Sequence, residues 1–94
     1  MTRLSVAALA SPYCATYKQA DQLFNYIAVH LRGGEAVELD FEKVELASSS
    51  FFNELLGRIT DAFGQEVTEK RLSYFALKPR HKFVLERTRH ITPA

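Results

Sequence analysis

A change of hydrophobic period at Gly33-Gly34 constrains this chain more than any other feature. Before it, Ala20, Leu23, Phe24, Ile27 and Leu31 recur at spacings of three and four. That is the apolar stripe of an amphipathic helix running from about Thr16 to Arg32. After it, from Val37 to Phe41, apolar residues alternate with Glu38 and Asp40. A period of two marks a half-buried or edge-adjacent strand. The two glycines stop the helix, because glycine takes the left-handed cap conformation at low strain. A helix turned sharply into such a strand is part of a crossover unit, whose strands lie parallel.

The other elements are read around this unit. Arg3 to Leu9 is mildly apolar and reads as a first strand, ended by Ser11-Pro12. Glu42 to Ala47 forms the exit of the Val37 strand, with Val44 and Leu46 expected to tuck under the loop. Three serines follow, and then Phe52, Leu55, Leu56, Ile59 and Phe63 form a second helical stripe that Gly64 ends. A serine among Ser48, Ser49 and Ser50 caps this helix. No choice of cap places Glu54 at the third helical position, yet its charge suits the nearby helix dipole. Gln65 to Arg71 reads as a loop, and Leu72 to Leu77 as a third strand. Pro79 opens a last helix to about Arg89, with Phe83 and Val84 facing the core, and the tail from Ile91 is expected to fray. The sum is one small α/β domain over residues 1–94, ordered β-α-β-α-β-α, with a mostly parallel sheet and right-handed crossovers.

Composition narrows the function. A chain of 94 residues is a single domain, and 47% hydrophobic residues are too many for disorder. A net charge of +1 gives no overall field to attract nucleic acid or anionic lipid. Cys14 is the only cysteine, which fits a cytoplasmic setting better than a secreted one. It reads as a small buried residue rather than a nucleophile. No apolar run approaches the roughly 20 residues of a membrane helix, and Val6 to Ala10 is short for a signal peptide. His30, His81 and His90 lack ligand spacing, so no metal is expected. Gly33-Gly34 lacks the Lys-Ser/Thr pair of a phosphate loop, and nothing else calls for a cofactor.

In an open α/β sheet, sites gather where strands end and helices begin. Here that place is Phe41 to Phe51, which carries three consecutive hydroxyls. A helix N-terminus stabilises anions, and a phosphate on one of these serines would add roughly −1.5 to −2 charge. The same serines would serve equally as cap and turn. Asn53 and Glu54, on the first turn, are candidate polar contacts for a partner or ordinary helix surface.

The run Val37-Glu38-Leu39-Asp40-Phe41 through Ser48-Ser49-Ser50-Phe51 to Gly57-Arg58 resembles the central motif of the STAS-like domains of unknown function. It is similar, more distantly, to bacterial anti-sigma-factor antagonists, whose strand ends in Asp. In those proteins an Asp-Ser-Ser-Gly-Leu-like turn follows, then a helix containing Leu-Gly. The likeness is close from Val37 to Ile59. It implies a non-enzymatic regulatory module with a partner-switching role. In the antagonists a serine of the turn is phosphorylated by an ATP-binding, histidine-kinase-like partner, which binds only the unmodified domain. Counting back from Leu56-Gly57-Arg58 sets Ser49 on the phosphorylated position. Ser48 stands where the antagonists keep Asp, and Phe51 where they keep Gly, a change expected to crowd the turn. Ser48, Ser49, Ser50, Asn53 and Glu54 would form the docking face, with Asp40 and Gly57 structural. Two alternatives come from other classes. One is a domain binding a phosphorylated ligand or nucleotide at the same helix N-terminus. The other is a nucleic-acid accessory domain using Lys78, Arg80, His81, Lys82, Arg87, Arg89 and His90.

Overall fold

A computed structural model describes the backbone of residues 1–91 and the side chains of residues 1–87. In chain order the elements are β1 (Thr2–Ser5), α1 (Val6–Leu9), β2 (Tyr13–Cys14) and α2 (Tyr17–Arg32). There follow β3 (Val37–Asp40), β4 (Leu46–Ala47), α3 (Ser49–Phe63), α4 (Gln65–Lys70), β5 (Leu72–Phe75) and α5 (Pro79–Ile91). β1, β3 and β5 form a parallel sheet in that spatial order, with Leu4, Leu39 and Tyr74 in register. β2 and β4 form a separate parallel pair.

The period-two pattern of β3 decides which side of the sheet is covered. Val37 and Leu39 are fully buried, together with Phe41 just beyond the strand. Glu38 and Asp40, on the other face, are only half-buried. There Arg3 reaches Glu38 at 2.6 Å, and its guanidinium lies 4.2 Å from the centre of the Phe75 ring. The apolar face is covered by α2 and α3, which pack side by side, and α5 packs on α3. Ala20, Leu23, Phe24, Ile27 and Leu31 of α2 all lie in the core, as their spacing predicts. So do Phe52, Leu55, Leu56 and Ile59 of α3, with Phe63 packed against its margin. The result is a two-layer α/β domain with one continuous core.

Several expectations need correction. The first strand stops at Ser5, whose hydroxyl accepts from the Ala8 amide and starts the short helix α1. Gln65 to Lys70 is helical, not a loop. Its polar sequence hid it, since fewer than two turns with no buried residue show no apolar period. In α5 the residue that enters the core is Leu85, while Phe83 is exposed and Val84 is half-buried. The helix is rotated from the orientation that Phe83 suggested. The left-handed position after α2 belongs to Gly34 alone (φ 85°), Gly33 having an ordinary negative φ. The tail 92–94 lies outside the described residues.

Arg71 secures the α2 end of the fold. Its Nη2 donates to the Leu31 carbonyl at 2.8 Å and the Glu35 carbonyl at 2.7 Å, tying the close of α2 to the start of β5. Gly57 lacks its expected structural role. It sits within α3 without a positive φ, and a Cβ there would meet nothing within 4 Å. Gly64 is the opposite case, with φ 91° and ψ 160° between two helices, a region essentially reserved for glycine. Gly64→Ala is therefore expected to lower the unfolding free energy by about 1–3 kcal/mol. Gly57→Ala is expected to raise it by about 1 kcal/mol through helix propensity. Urea denaturation of the two variants checks both signs.

Candidate functional site

Three phenylalanines place the site. Phe41 leaves β3 into the core, and its ring lies 5.9 Å from that of Phe52, nearly stacked. Phe51 meets Phe52 edge-on at 5.4 Å, and Tyr74 approaches Phe41 at 6.3 Å. Phe41, Phe51 and Phe52 are fully buried. The first turn of α3 is thus pinned against the carboxyl end of β3. Phe51, which stands where the antagonists keep Gly, does not crowd the turn. Its ring points inward and leaves the outer surface of the turn clear.

Between Phe41 and the helix, the chain is held at almost every step. Asp40 Oδ1 accepts from the Glu42 amide at 2.9 Å and braces the turn. Lys43 takes a left-handed conformation (φ 67°), which sends Val44 back into the core. The Glu45 and Leu46 amides donate to the Pro12 carbonyl at 2.7 and 3.2 Å. β2 and β4 then run together, Tyr13 beside Leu46 and Cys14 beside Ala47. Cys14 and Ala47 are buried, so alternation turns Tyr13 and Leu46 outward, 60% and 45% exposed. Leu46 does not tuck under the loop. Sequence reasoning missed both residues as surface features because two-residue strands show no period.

The three serines do different things. Ser48 is the cap: its hydroxyl accepts from the Phe51 amide at 3.2 Å and donates to the Ala15 carbonyl at 3.2 Å. The Ser48 amide also donates to the Cys14 carbonyl at 2.9 Å. Aspartate is as good a cap as serine, so the departure at this position keeps the helix start intact. Ser49 and Ser50 are exposed on the first turn, and Asn53 is exposed one turn later. Glu54 turns toward α2 instead. Arg58 Nη1 lies 3.3 Å from Asp21 Oδ1 and 3.6 Å from Glu54 Oε2, with its guanidinium 5.0 Å from the Phe24 ring centre. A hydrogen bond shared with the Asp21 carboxyl raises the Glu54 carboxyl above its ordinary value, although Arg58 pulls it down. The structure thus brings Ser49, Ser50 and Asn53 together on the surface. Ser48 and Glu54 are engaged at its margin.

The other chemical candidates are absorbed into the fold. Cys14 Sγ donates to the Ser11 carbonyl at 3.1 Å, and burial pushes its thiol up to about 11, so it is not a nucleophile at neutral pH. Lys78 Nζ and Arg80 Nη2 reach Glu45, at its carboxylate (3.5 Å) and its carbonyl (2.7 Å). His81 is buried. The side chains of Arg89 and His90 lie outside the described residues. Among the described residues no group of three or more His, Cys, Asp or Glu side chains could hold a metal ion. No described helix is long and apolar enough to cross a membrane.

Compared with known proteins, residues 19–82 match the family model of a STAS-like domain of unknown function. The match spans α2 through the first turn of α5, and so includes the whole serine turn. No curated protein and no solved structure matches the chain.

The division of labour among the serines is testable by denaturation. Ser48→Ala is expected to cost about 1 kcal/mol, while Ser48→Asp keeps the cap but loses the donor to Ala15, and so should lie between Ser48→Ala and the parent. Ser49→Ala and Ser50→Ala should stay within about 0.5 kcal/mol of the parent.

Proposed function

The chain belongs to the STAS-like domains of unknown function, and we propose that it is a non-enzymatic regulatory module that docks a protein partner through the first turn of α3. One observation carries this reading. Tyr13 and Leu46 stand exposed side by side, on the strand pair that runs directly into the serine cap. Beyond them, the exposed Ser49 and Asn53 and the half-buried Gly57, with open space where a Cβ would stand, follow at helical spacing along one line of α3. That line carries no charge and, at Gly57, no side chain. Exposed large apolar groups beside a small, uncharged helix surface have the composition of a docking patch rather than of a solvated face. Gly57 costs its own helix about 1 kcal/mol and returns nothing to the interior. A partner's main chain approaching closely is a use for the open space.

In this reading the partner is an ATP-binding, histidine-kinase-like protein, and Ser49 is the switch. Its hydroxyl is exposed on the helix's first turn. A phosphate there would be tolerated by the helix dipole, yet would add roughly −1.5 to −2 charge to a patch that binds by excluding water. The modified domain would stay folded and release its partner. The nucleic-acid reading draws less support, because Lys78 and Arg80 hold Glu45 and His81 is buried. That leaves Lys82 and Arg87 as the exposed basic side chains described on α5.

The test is calorimetric binding to an ATP-binding, histidine-kinase-like protein encoded beside this chain. Wild type and Ser49→Ala should bind alike, and Ser49→Asp should weaken binding by about tenfold or more, or roughly 1.4 kcal/mol. Equal affinities for all three would sink the switch. A thermal-shift screen of phosphorylated metabolites and nucleotides separates the ligand-binding alternative. Docking predicts no stabilisation, and a ligand present at 100 times its Kd would stabilise by about 2.7 kcal/mol.

A further inference from the structure

We propose that the first turn of α5 is a clasp on the 41–48 loop which acid releases, with His81 as the group that opens it. His81 is 2% exposed, and neither ring nitrogen completes a well-formed hydrogen bond, although the Glu45 backbone faces the ring. The position is otherwise an apolar one, on the helix that inserts Leu85 into the core. A neutral imidazole can be accommodated there. An imidazolium cannot, since a buried charge needs a partner and hydrogen bonds.

The surroundings sharpen the conflict. The charged groups that face the ring are Arg80 and Lys78 on its own turn and Glu45 from the loop. Glu45 is already engaged: its carbonyl accepts from Arg80 at 2.7 Å and its carboxylate from Lys78 at 3.5 Å. Protonation would set three cations against one carboxylate, with the imidazolium shut away from water. Burial, then Arg80 and Lys78, hold the imidazole below its ordinary value of 6.5, while the Glu45 backbone and then its carboxylate pull the other way.

The sign follows from linkage. The closed turn disfavours the proton, and the lifted turn exposes a ring titrating near 6.5. Closure is complete above that value. As pH falls below it, toward the depressed closed-state value, the closed-to-open ratio drops by up to about tenfold per pH unit. Lifting the turn frees Glu45, and with it the loop whose Glu45 and Leu46 amides bond Pro12 and whose Ser48 amide bonds Cys14. Acid therefore loosens the segment that presents Leu46 and the helix cap, while β1, β3 and β5 stay paired. His30 lies elsewhere, 3.2 Å from Glu35. The clasp rests on the burial of His81 and on the Lys78 and Arg80 bonds to Glu45, and does not depend on the docking reading.

Amide exchange at about pH 7.5 and about pH 5.5, on wild type and His81→Leu, tests it. After correction for intrinsic rates, the Glu45, Leu46, Ser48 and Lys82 amides of the wild type should lose about tenfold in protection on acidification. The same amides in His81→Leu should change by less than about twofold. Parallel loss in both proteins overturns the proposal. Direct NMR titration of the wild-type imidazole holds even if the variant fails to fold. It should titrate below 6.5, and a value at or above that figure overturns the clasp.

Discussion

The contact between Phe41 and Phe52 is the joint on which this domain turns. Phe41 is the inward-facing residue just beyond the central strand, and Phe52 lies in the first turn of α3. Their stacking, buttressed by Phe51 and Tyr74, fixes where α3 begins and in which direction it runs. Everything on the outer surface of that turn is set by what is anchored inside it. With Phe51 and Phe52 turned inward, the 100° advance per residue leaves Ser49, Ser50 and Asn53 facing out. Aromatic burial, a property of the core, is thus what gives the serine turn its exposure.

A second layer of constraint comes from the β2–β4 pair. Four residues are too few to form a stable sheet alone. They hold because Pro12, Cys14 and Ala15 supply carbonyls to the 45–48 backbone and the Ser48 hydroxyl. Cys14 and Ala47 fill the inner side. This stitching carries Tyr13 and Leu46 to the surface beside the helix cap. Lys78 and Arg80 bond the same loop at Glu45, from the helix turn that carries His81. The loop is gripped by one segment rich in main-chain bonds and by another that rests on a buried imidazole.

Much of this was legible in the sequence, for a reason that particular residues make plain. α2, β3 and α3 each have enough residues for their burial to leave a period, and the stripes from Ala20 to Leu31 and Phe52 to Ile59 lie in the core. Short elements leave no such trace. Val6 to Leu9 resembles the end of a strand until the Ser5 hydroxyl turns it into a helix. Gln65 to Lys70 is too polar to distinguish from a loop. Tyr13 and Leu46 become a pair only through a contact between segments thirty residues apart. His81 lies in a run of basic residues, where its burial is invisible without Leu85 and Glu45. In the site, the serines and Asn53 were readable from the strand-turn-helix grammar. Which serine caps the helix depended on the Ala15 carbonyl, and the inward turn of Phe51 depended on Phe41.

The central claim is that the surface anchored by Phe41 and Phe52 is where a protein partner sits. Site-specific photo-crosslinking in the native cell tests it most directly. A photoreactive residue at position 50 stands inside the patch, and one at the exposed position 69 stands on α4, which packs against the other end of α3 near Thr60. The account predicts a discrete adduct from position 50, lost when Leu46 is replaced by a charged residue, and none from position 69. An adduct from position 69 with none from position 50 would contradict it.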